Sequence, residues 1–310
     1  MRAVMVDMKY HVASLVAVFL ALGVGILVGS AVASDGALVE QQERMIDRLE
    51  ADFARLKADR DALGARLAAL EQALSASLSF EDMVARGLIE GELAGMRVAA
   101  VACGDAMPPE GMERIGRCVE EAGGELVRVV RIRRRLAPAS ADEAREVAAS
   151  LDVSLAGAEA VERAVAEALA AYAALGEAGP RLDTLVSLGY AAPVVEAPAA
   201  AGGDAPGPDG RADAVVVMGG SLDPAFGAQD AGIPIVRVLK RLRVDVVGVE
   251  PWDVKVSHMG DYKREGITTV DCVDLPLGRL SLVYALAGQR GHFGIKGTAQ
   301  SLVPDILRRR

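Results

Sequence analysis

The sequence predicts an α/β protein with a single N-terminal transmembrane helix, a long parallel coiled coil, and then a doubly wound, mostly parallel sheet domain. Three observations predict it: an uncharged run long enough to cross a membrane, a heptad repeat directly after it, and short β-branched runs that alternate with helical patterns. They divide the 310 residues into an anchor at 1–35, a coiled coil at 36–79 and an α/β domain at 80–310.

Composition excludes several classes of protein. Hydrophobic residues make up 52% of the chain and the mean hydropathy is +0.27, too apolar for a disordered protein. A net charge of −9 and a pI near 5.0 argue against a nucleic-acid partner. Three Cys and three His are too few for a disulfide framework or a multi-zinc scaffold.

The predicted anchor is the stretch from Val12 to Ala33, 22 residues without a charge. As a helix it would cover about 33 Å, close to the roughly 30 Å hydrocarbon core of a bilayer. A cleaved secretory signal is the alternative, since Ala31-Val32-Ala33 offers a small-x-small cleavage pattern. The apolar core of such a signal is only about 7–15 residues long, so we expect an uncleaved single-pass anchor surrounded by membrane lipid.

The charges that flank the anchor predict its orientation. Arg2 and Lys9 precede the span, whereas Asp35 and Glu40 follow it. Because positively charged flanks stay in the cytoplasm, the N-terminus is expected there and the C-terminal domain is expected to be extracytoplasmic.

Small residues form a stripe along the predicted span. They recur at every fourth position: Ala13, Ala17, Ala21, Gly25, Gly29 and Ala33. Ala and Gly are common throughout this sequence, which is the simpler explanation of the stripe. Six positions in one register nevertheless favour self-association, because small side chains let helices approach closely in lipid.

A heptad repeat follows the span. Its a positions are Val39, Ile46, Phe53, Arg60, Leu67 and Leu74, and its d positions are Gln42, Leu49, Leu56, Leu63, Leu70 and Ser77. Nine of these twelve residues are apolar, which predicts a coiled coil in preference to a single amphipathic helix packed on its own domain. Asp52 at g would face Lys57 at e of a parallel neighbour, so we expect a parallel dimer or higher homo-oligomer.

The rest of the chain alternates strands and helices. The predicted strands are Met96–Cys103, Glu125–Ile132, Ala214–Met218, Val244–Val249 and Ile267–Val273. The predicted helices run from Pro108-Pro109 to Gly123-Gly124 and over Ala141–Leu151, Gly157–Leu175, Thr184–Leu188, Ile235–Leu242 and Leu277–Ala287. This alternation predicts a parallel, doubly wound sheet. The stretch 191–211, rich in Pro, Gly and Ala, predicts a flexible, exposed insertion.

Ligands of such sheets bind at the carboxyl ends of the strands. In this sequence we find no known nucleotide-binding motif at these ends. Cys103-Gly104-Asp105, Gly219-Gly220-Ser221 and Glu250-Pro251 stand at these ends, and none is a P-loop or a dinucleotide fingerprint. Gly219-Gly220 predicts a tight turn. No nucleophile and base have a diagnostic spacing, so we predict no catalytic residue. His258 lies in a polar stretch and is expected to be solvent-exposed.

Copper is the metal for which the sequence offers a candidate site. Cys103 ends a predicted strand and Met107 and Met112 follow it, and thiolate and thioether ligands select Cu(I). Cys272 would join them if its strand lies beside the first. One Cys and one Met are few ligands, and the simpler explanation of Cys118 is an apolar residue on the buried face of its helix.

Segments at both ends of the chain carry a family resemblance. The stretch Tyr10–Ser30, together with Val270–Arg279, His292–Lys296 and Leu302-Val303-Pro304, resembles the mycobacterial copper transport protein family. The resemblance implies a protein of copper transport or homeostasis in the cell envelope, described in mycobacteria as an outer-membrane channel that limits intracellular copper. It supplies no ligand residues for this chain, and an outer-membrane location rests on the family alone.

Physical constraints leave two other classes of function open. A pore through lipid needs several helices or a closed barrel, and one apolar helix supplies a pore only by oligomerising. The second class is a non-enzymatic envelope scaffold that holds partner proteins away from the membrane on its stalk. The third, an extracytoplasmic enzyme at Cys103 or Gly219, has the least support. Copper sensitivity of a deletion strain distinguishes a copper transport protein from an envelope scaffold.

Overall fold

The computed structural model describes residues 8–153, 157–177, 180–192, 195–196 and 210–305. The chain forms two units, Met1–Leu74 and Ser75–Arg310. Helix α1, Met8–Ile89, runs through the described part of the first unit and into the second. Most of the insertion expected at 191–211 lies outside the described residues.

The described part of the first unit is helical throughout, and the apolar side chains described over 8–30 and 39–74 are exposed. Among the described residues, one helix is long and apolar enough by length and composition to cross a membrane, at Met8–Ser30, with a mean hydropathy of 2.6. The predicted single N-terminal apolar helix is confirmed. Four leucines at d positions of the heptad are 60–67% exposed: Leu49, Leu56, Leu63 and Leu70. The coiled coil that would cover them stays a prediction.

The second unit contains a seven-stranded sheet in the described part of the chain. Its strands are β1 Arg97–Ala102, β2 Glu125–Arg131, β3 Val195–Glu196, β4 Ala214–Met218, β5 Asp245–Val249, β6 Thr268–Val270 and β7 His292–Phe293. The helices after α1 are α2 Pro109–Glu121, α3 Ala141–Ser150, α4 Ala158–Leu175, α5 Pro180–Ser187, α6 Gly232–Arg241, α7 Met259–Arg264 and α8 Pro276–Leu286. A short 3-10 turn covers Ala228–Asp230.

The strand order is β3-β2-β1-β4-β5-β6-β7. Six strands are parallel and β3 pairs antiparallel with β2, so the predicted α/β class and mostly parallel sheet are confirmed. All five residues of β4 are buried, as expected for a strand covered on both faces. The order of connection reverses between β1 and β4, which makes this the topological switch point of the sheet.

Two cores cover the two faces of the sheet. Alternate residues of β1 point to opposite sides, so Ala99 and Val101 join one core whereas Val98 and Ala100 join the other. The first core contains buried side chains of α3, α4, α5, α6 and α7. The second is built on α2, α8 and the last two turns of α1.

Two predictions about elements differ from the structure. The strand expected over Ile267–Val273 is limited to Thr268–Val270, because Asp271 turns its carboxylate to a neighbouring loop and Cys272 has a φ of 56°. Helix α7 was not predicted, since it has six mostly polar residues and buries only Met259 and Tyr262.

Candidate functional site

The candidate site is the carboxyl edge of the sheet, defined here as the loops that follow β1, β4, β5, β6 and β7. Its centre is the gap between the loops that follow β1 and β4. Doubly wound sheets bind their ligands at this place, the topological switch point. In this protein the loops Cys103-Gly104-Asp105 and Gly219-Gly220-Ser221 meet across that gap.

The gap at the switch point is closed by direct packing of the two loops. A Cβ atom at Gly104 would overlap the carbonyl oxygen of Gly220. The Asp105 carboxylate accepts hydrogen bonds from the Ser221 hydroxyl at 2.8 Å and from the Leu222 N–H at 2.9 Å. Burial opposes ionisation of Asp105, but these hydrogen bonds hold its pKa below the usual value. These contacts bring the two loops into direct contact at the switch point.

We expect Gly104→Ala to lower the stability of the domain by about 1–3 kcal/mol, because the added methyl group must displace a backbone carbonyl. Gly297→Ala is the matched control, since a Cβ there has no neighbour within 4 Å. Thermal unfolding of the full chain in detergent measures both variants. Equal melting temperatures would contradict the close approach of the two loops.

The structure does not bring the two predicted copper ligands together. Cys103 is fully buried in the core formed with α4 and α6, whereas Met107, 5% exposed, belongs to the core on the other face of the sheet. Cys272 follows β6, which β4 and β5 separate from β1. The condition for Cys272 to join Cys103 is therefore not met.

Burial also keeps the three thiols protonated. It raises the pKa of Cys103 well above its usual range and raises the pKa of Cys118 to about 12. The pKa of Cys272 also rises to about 12, through burial and through the Asp271 carboxylate, which accepts the Cys272 S–H at 2.7 Å. Because the thiolate is the metal-binding form, these environments disfavour it. Within the described ranges no three His, Cys, Asp or Glu side chains are placed to hold a metal ion.

The sequence did not allow us to predict a buried polar cluster at the end of β5. Glu250 is fully buried, and one carboxylate oxygen accepts from Lys296 Nζ at 2.8 Å and from the Ser257 hydroxyl at 2.7 Å. Its second oxygen accepts the His258 N–H at 2.9 Å. Lys296 also donates to the Pro251 carbonyl at 2.7 Å. Glu250 and Lys296 are far apart in the chain, so no local pattern indicates this pair.

A second buried carboxylate fixes the same C-terminal segment. Asp271 is 2% exposed and accepts the backbone N–H groups of Ile295 at 2.8 Å and Lys296 at 3.1 Å. Gly294 lies against this carboxylate with a φ of 137°, a place that admits no side chain. Residues 292–296 are thereby held across the ends of β5 and β6.

The prediction that His258 is exposed is wrong. The residue is fully buried, and its side chain lies against Gly219. Helix α7 is the reason: it places Tyr262 in the space left by Gly219, Gly232 and Gly248, and His258 precedes it by one turn. Neither ring nitrogen of His258 has a hydrogen-bond partner among the described residues, and burial lowers its pKa.

Comparison with known proteins covers almost the entire chain. The family described as "Copper transport outer membrane protein, MctB" matches residues 5–304. The chain belongs to this family. The copper transporters MctB of Mycobacterium tuberculosis (strain H37Rv) and Mycobacterium bovis are each 27% identical to this family member over 322 residues. The alignment covers 96% of this chain and 99% of each relative, so the family resemblance predicted from the terminal segments is confirmed.

Proposed function

We propose that this protein acts in copper transport in the cell envelope and limits intracellular copper as part of a homo-oligomeric membrane assembly. The observation that carries the proposal is the family match over residues 5–304. The names of the full-length relatives, which are copper transporters, support the same function.

The proposed role of the α/β domain is non-enzymatic. Doubly wound enzymes bind substrate and cofactor at the switch point, and here Gly104 and Gly220 fill that point. The buried carboxylate of Glu250 is paired with Lys296 and accepts hydrogen bonds from Ser257 and the His258 N–H, so it serves contacts within the fold. These contacts support a domain that binds other proteins or copies of itself through its surface and does not use the switch point for catalysis.

The proposed assembly forms through α1. Its four leucines at d positions are mostly exposed in the single chain, and burying one such side chain contributes roughly 1.5–3 kcal/mol. The stripe that contains Gly25 and Gly29 would let neighbouring spans approach closely in lipid. A pore would need several copies of α1, because one helix cannot enclose a path for copper.

The proposed topology is single-pass, with the N-terminus in the cytoplasm and the α/β domain outside it. The positive charges of Arg2 and Lys9 before the span support this orientation. A cytoplasmic N-terminus places the span in the cytoplasmic membrane, whereas the family description names the outer membrane, so the two locations are alternatives.

We assign the handling of copper to the assembly and not to a Cys103–Met107 site. The two side chains lie in different cores and the Cys103 thiol is fully buried. The alternative function is an envelope scaffold that holds other envelope proteins away from the membrane, which the exposed heptad of α1 also fits.

Cellular copper content in a deletion strain tests the proposed function. We expect the deletion strain to accumulate severalfold more copper than its parent at the same external concentration, and the intact gene to restore the parental content. The variant Cys103→Ser should restore it equally well, because the buried thiol is not part of the proposed copper path. Equal copper in the deletion strain and its parent would reject the copper role and favour the scaffold.

A further inference from the structure

The segment from Glu250 to Arg264 contains a buried imidazole with unsatisfied nitrogens. His258 is 0% exposed, and neither Nδ1 nor Nε2 makes a hydrogen bond of ordinary geometry with a described residue, although the Phe226 backbone lies close enough to attract a proton on the ring. The Tyr262 hydroxyl, one turn later, is buried and equally unpartnered, and the two rings meet edge to face at 6.1 Å. A buried polar group without a partner costs free energy, which an open, hydrated conformation of the segment would recover.

Three acidic side chains on different elements act on His258 and favour its protonated form. Glu250 lies at the end of β5, Asp261 on α7 itself and Asp230 in the 3-10 turn, and the backbone of Phe226 adds a further attraction for a proton. Burial outweighs all four, so the closed conformation holds the ring neutral. A protonated ring would therefore be stable only after the segment moves or becomes hydrated.

Glu250 is the acidic group for which a protonated His258 would compete with Lys296. Its carboxylate accepts the backbone N–H of His258, and its charge favours the protonated form of the ring. The same carboxylate holds Lys296, which ties the C-terminal segment to this loop. A protonated His258 drawn to Glu250 would weaken the ion pair between Glu250 and Lys296.

We propose that His258 is a proton-sensitive latch: acidification opens the segment Glu250–Arg264 from the carboxyl edge by protonating the buried ring and drawing Glu250 away from Lys296. The direction follows from linkage. The open state binds a proton with the ordinary pKa of about 6.5, whereas the closed state resists it. Opening is therefore independent of pH well above 6.5, and it becomes up to tenfold more favourable per pH unit below it, until the closed ring also titrates.

The chain supplies its own reporter for this opening. Its single tryptophan, Trp252, lies in the segment and is 52% exposed in the closed conformation. We expect acrylamide quenching of Trp252 in the full chain in detergent to increase through one transition as the pH falls from 7.5 to 5.0. Hydrogen exchange, corrected for its intrinsic pH dependence, should accelerate in residues 250–264 while β4 remains protected.

His258→Gln should abolish both changes, because its side chain does not titrate. His292→Gln is the matched control: this ring is only partly buried and bonds the Thr269 hydroxyl at 2.9 Å, so the transition should persist. If His258→Gln does not fold, the parent chain labelled with ¹⁵N-histidine decides the question, since only three imidazoles are present. Its His258 signal should titrate at the midpoint of the opening. A parent segment that stays closed at pH 5.0, or an unchanged transition in His258→Gln, would overturn the proposal.

Discussion

Lys296→Met should destabilise the α/β domain by about 3–5 kcal/mol, because it leaves the carboxylate of Glu250 buried without a cation. Glu250 is fully buried and the Lys296 side chain is only 17% exposed, so water cannot replace the lost partner. Methionine keeps an unbranched apolar stem and removes the charge. Chemical unfolding of the full chain in detergent measures the loss.

Arg241→Met is the matched control for this ion pair. Arg241 bonds Glu167 at 3.0 Å, but both side chains are more than half exposed, and such surface pairs contribute at most about 1 kcal/mol. Adding Glu250→Gln to Lys296→Met should recover part of the stability, since it removes the isolated charge. A loss in Lys296→Met no larger than in Arg241→Met would show that the buried pair does not stabilise the domain.

The paired substitutions Leu56→Asp and Leu63→Asp should weaken self-association of the full chain by at least about a hundredfold. Each removes an apolar d side chain, worth roughly 1.5–3 kcal/mol when buried, and places like charges opposite each other in a parallel oligomer. Both leucines are 67% exposed in the single chain, so the substitutions should leave the fold of one chain unchanged. Sedimentation in detergent over a dilution series measures the association.

The matched control places the same charges on the outer face of the helix. Ala58 and Ala65 occupy f positions of the same heptads, so Ala58→Asp with Ala65→Asp should keep the parental assembly. A parent chain that sediments as a monomer would contradict the predicted coiled coil. Equal dissociation of both double variants would indicate that charge in general, and not the a/d seam, causes the effect.

Elements with a strong local signal were predictable from the sequence. The bounds of β4 are those expected, because the β-branched run Ala214–Met218 is followed directly by Gly219-Gly220. Helix α4 also agrees to within one residue at its start, since the long apolar pattern begins after one glycine and ends before another. In both cases the residues that form the element and those that end it are adjacent in the chain.

The arrangement of the candidate site was not predictable from the sequence, because it depends on contacts between residues that are far apart in the chain. Cys103 and Met107 are four residues apart, but the chain turns between them and sends each to a different face of the sheet. His258 is surrounded by polar residues in the sequence, and its burial is set by Tyr262 packing against three glycines from other elements. The pairing of Glu250 with Lys296 likewise follows from the strand order.

The decisive test of whether the α1 assembly limits intracellular copper is made in the deletion strain. Its copper content is measured after the parent gene or the gene for either double variant has been introduced. We expect the parent gene and the Ala58→Asp, Ala65→Asp gene to restore a low copper content, whereas the Leu56→Asp, Leu63→Asp gene should leave it high at equal protein abundance. Full restoration by the leucine variant, with its self-association shown to be lost, would show that limiting copper does not require the α1 assembly.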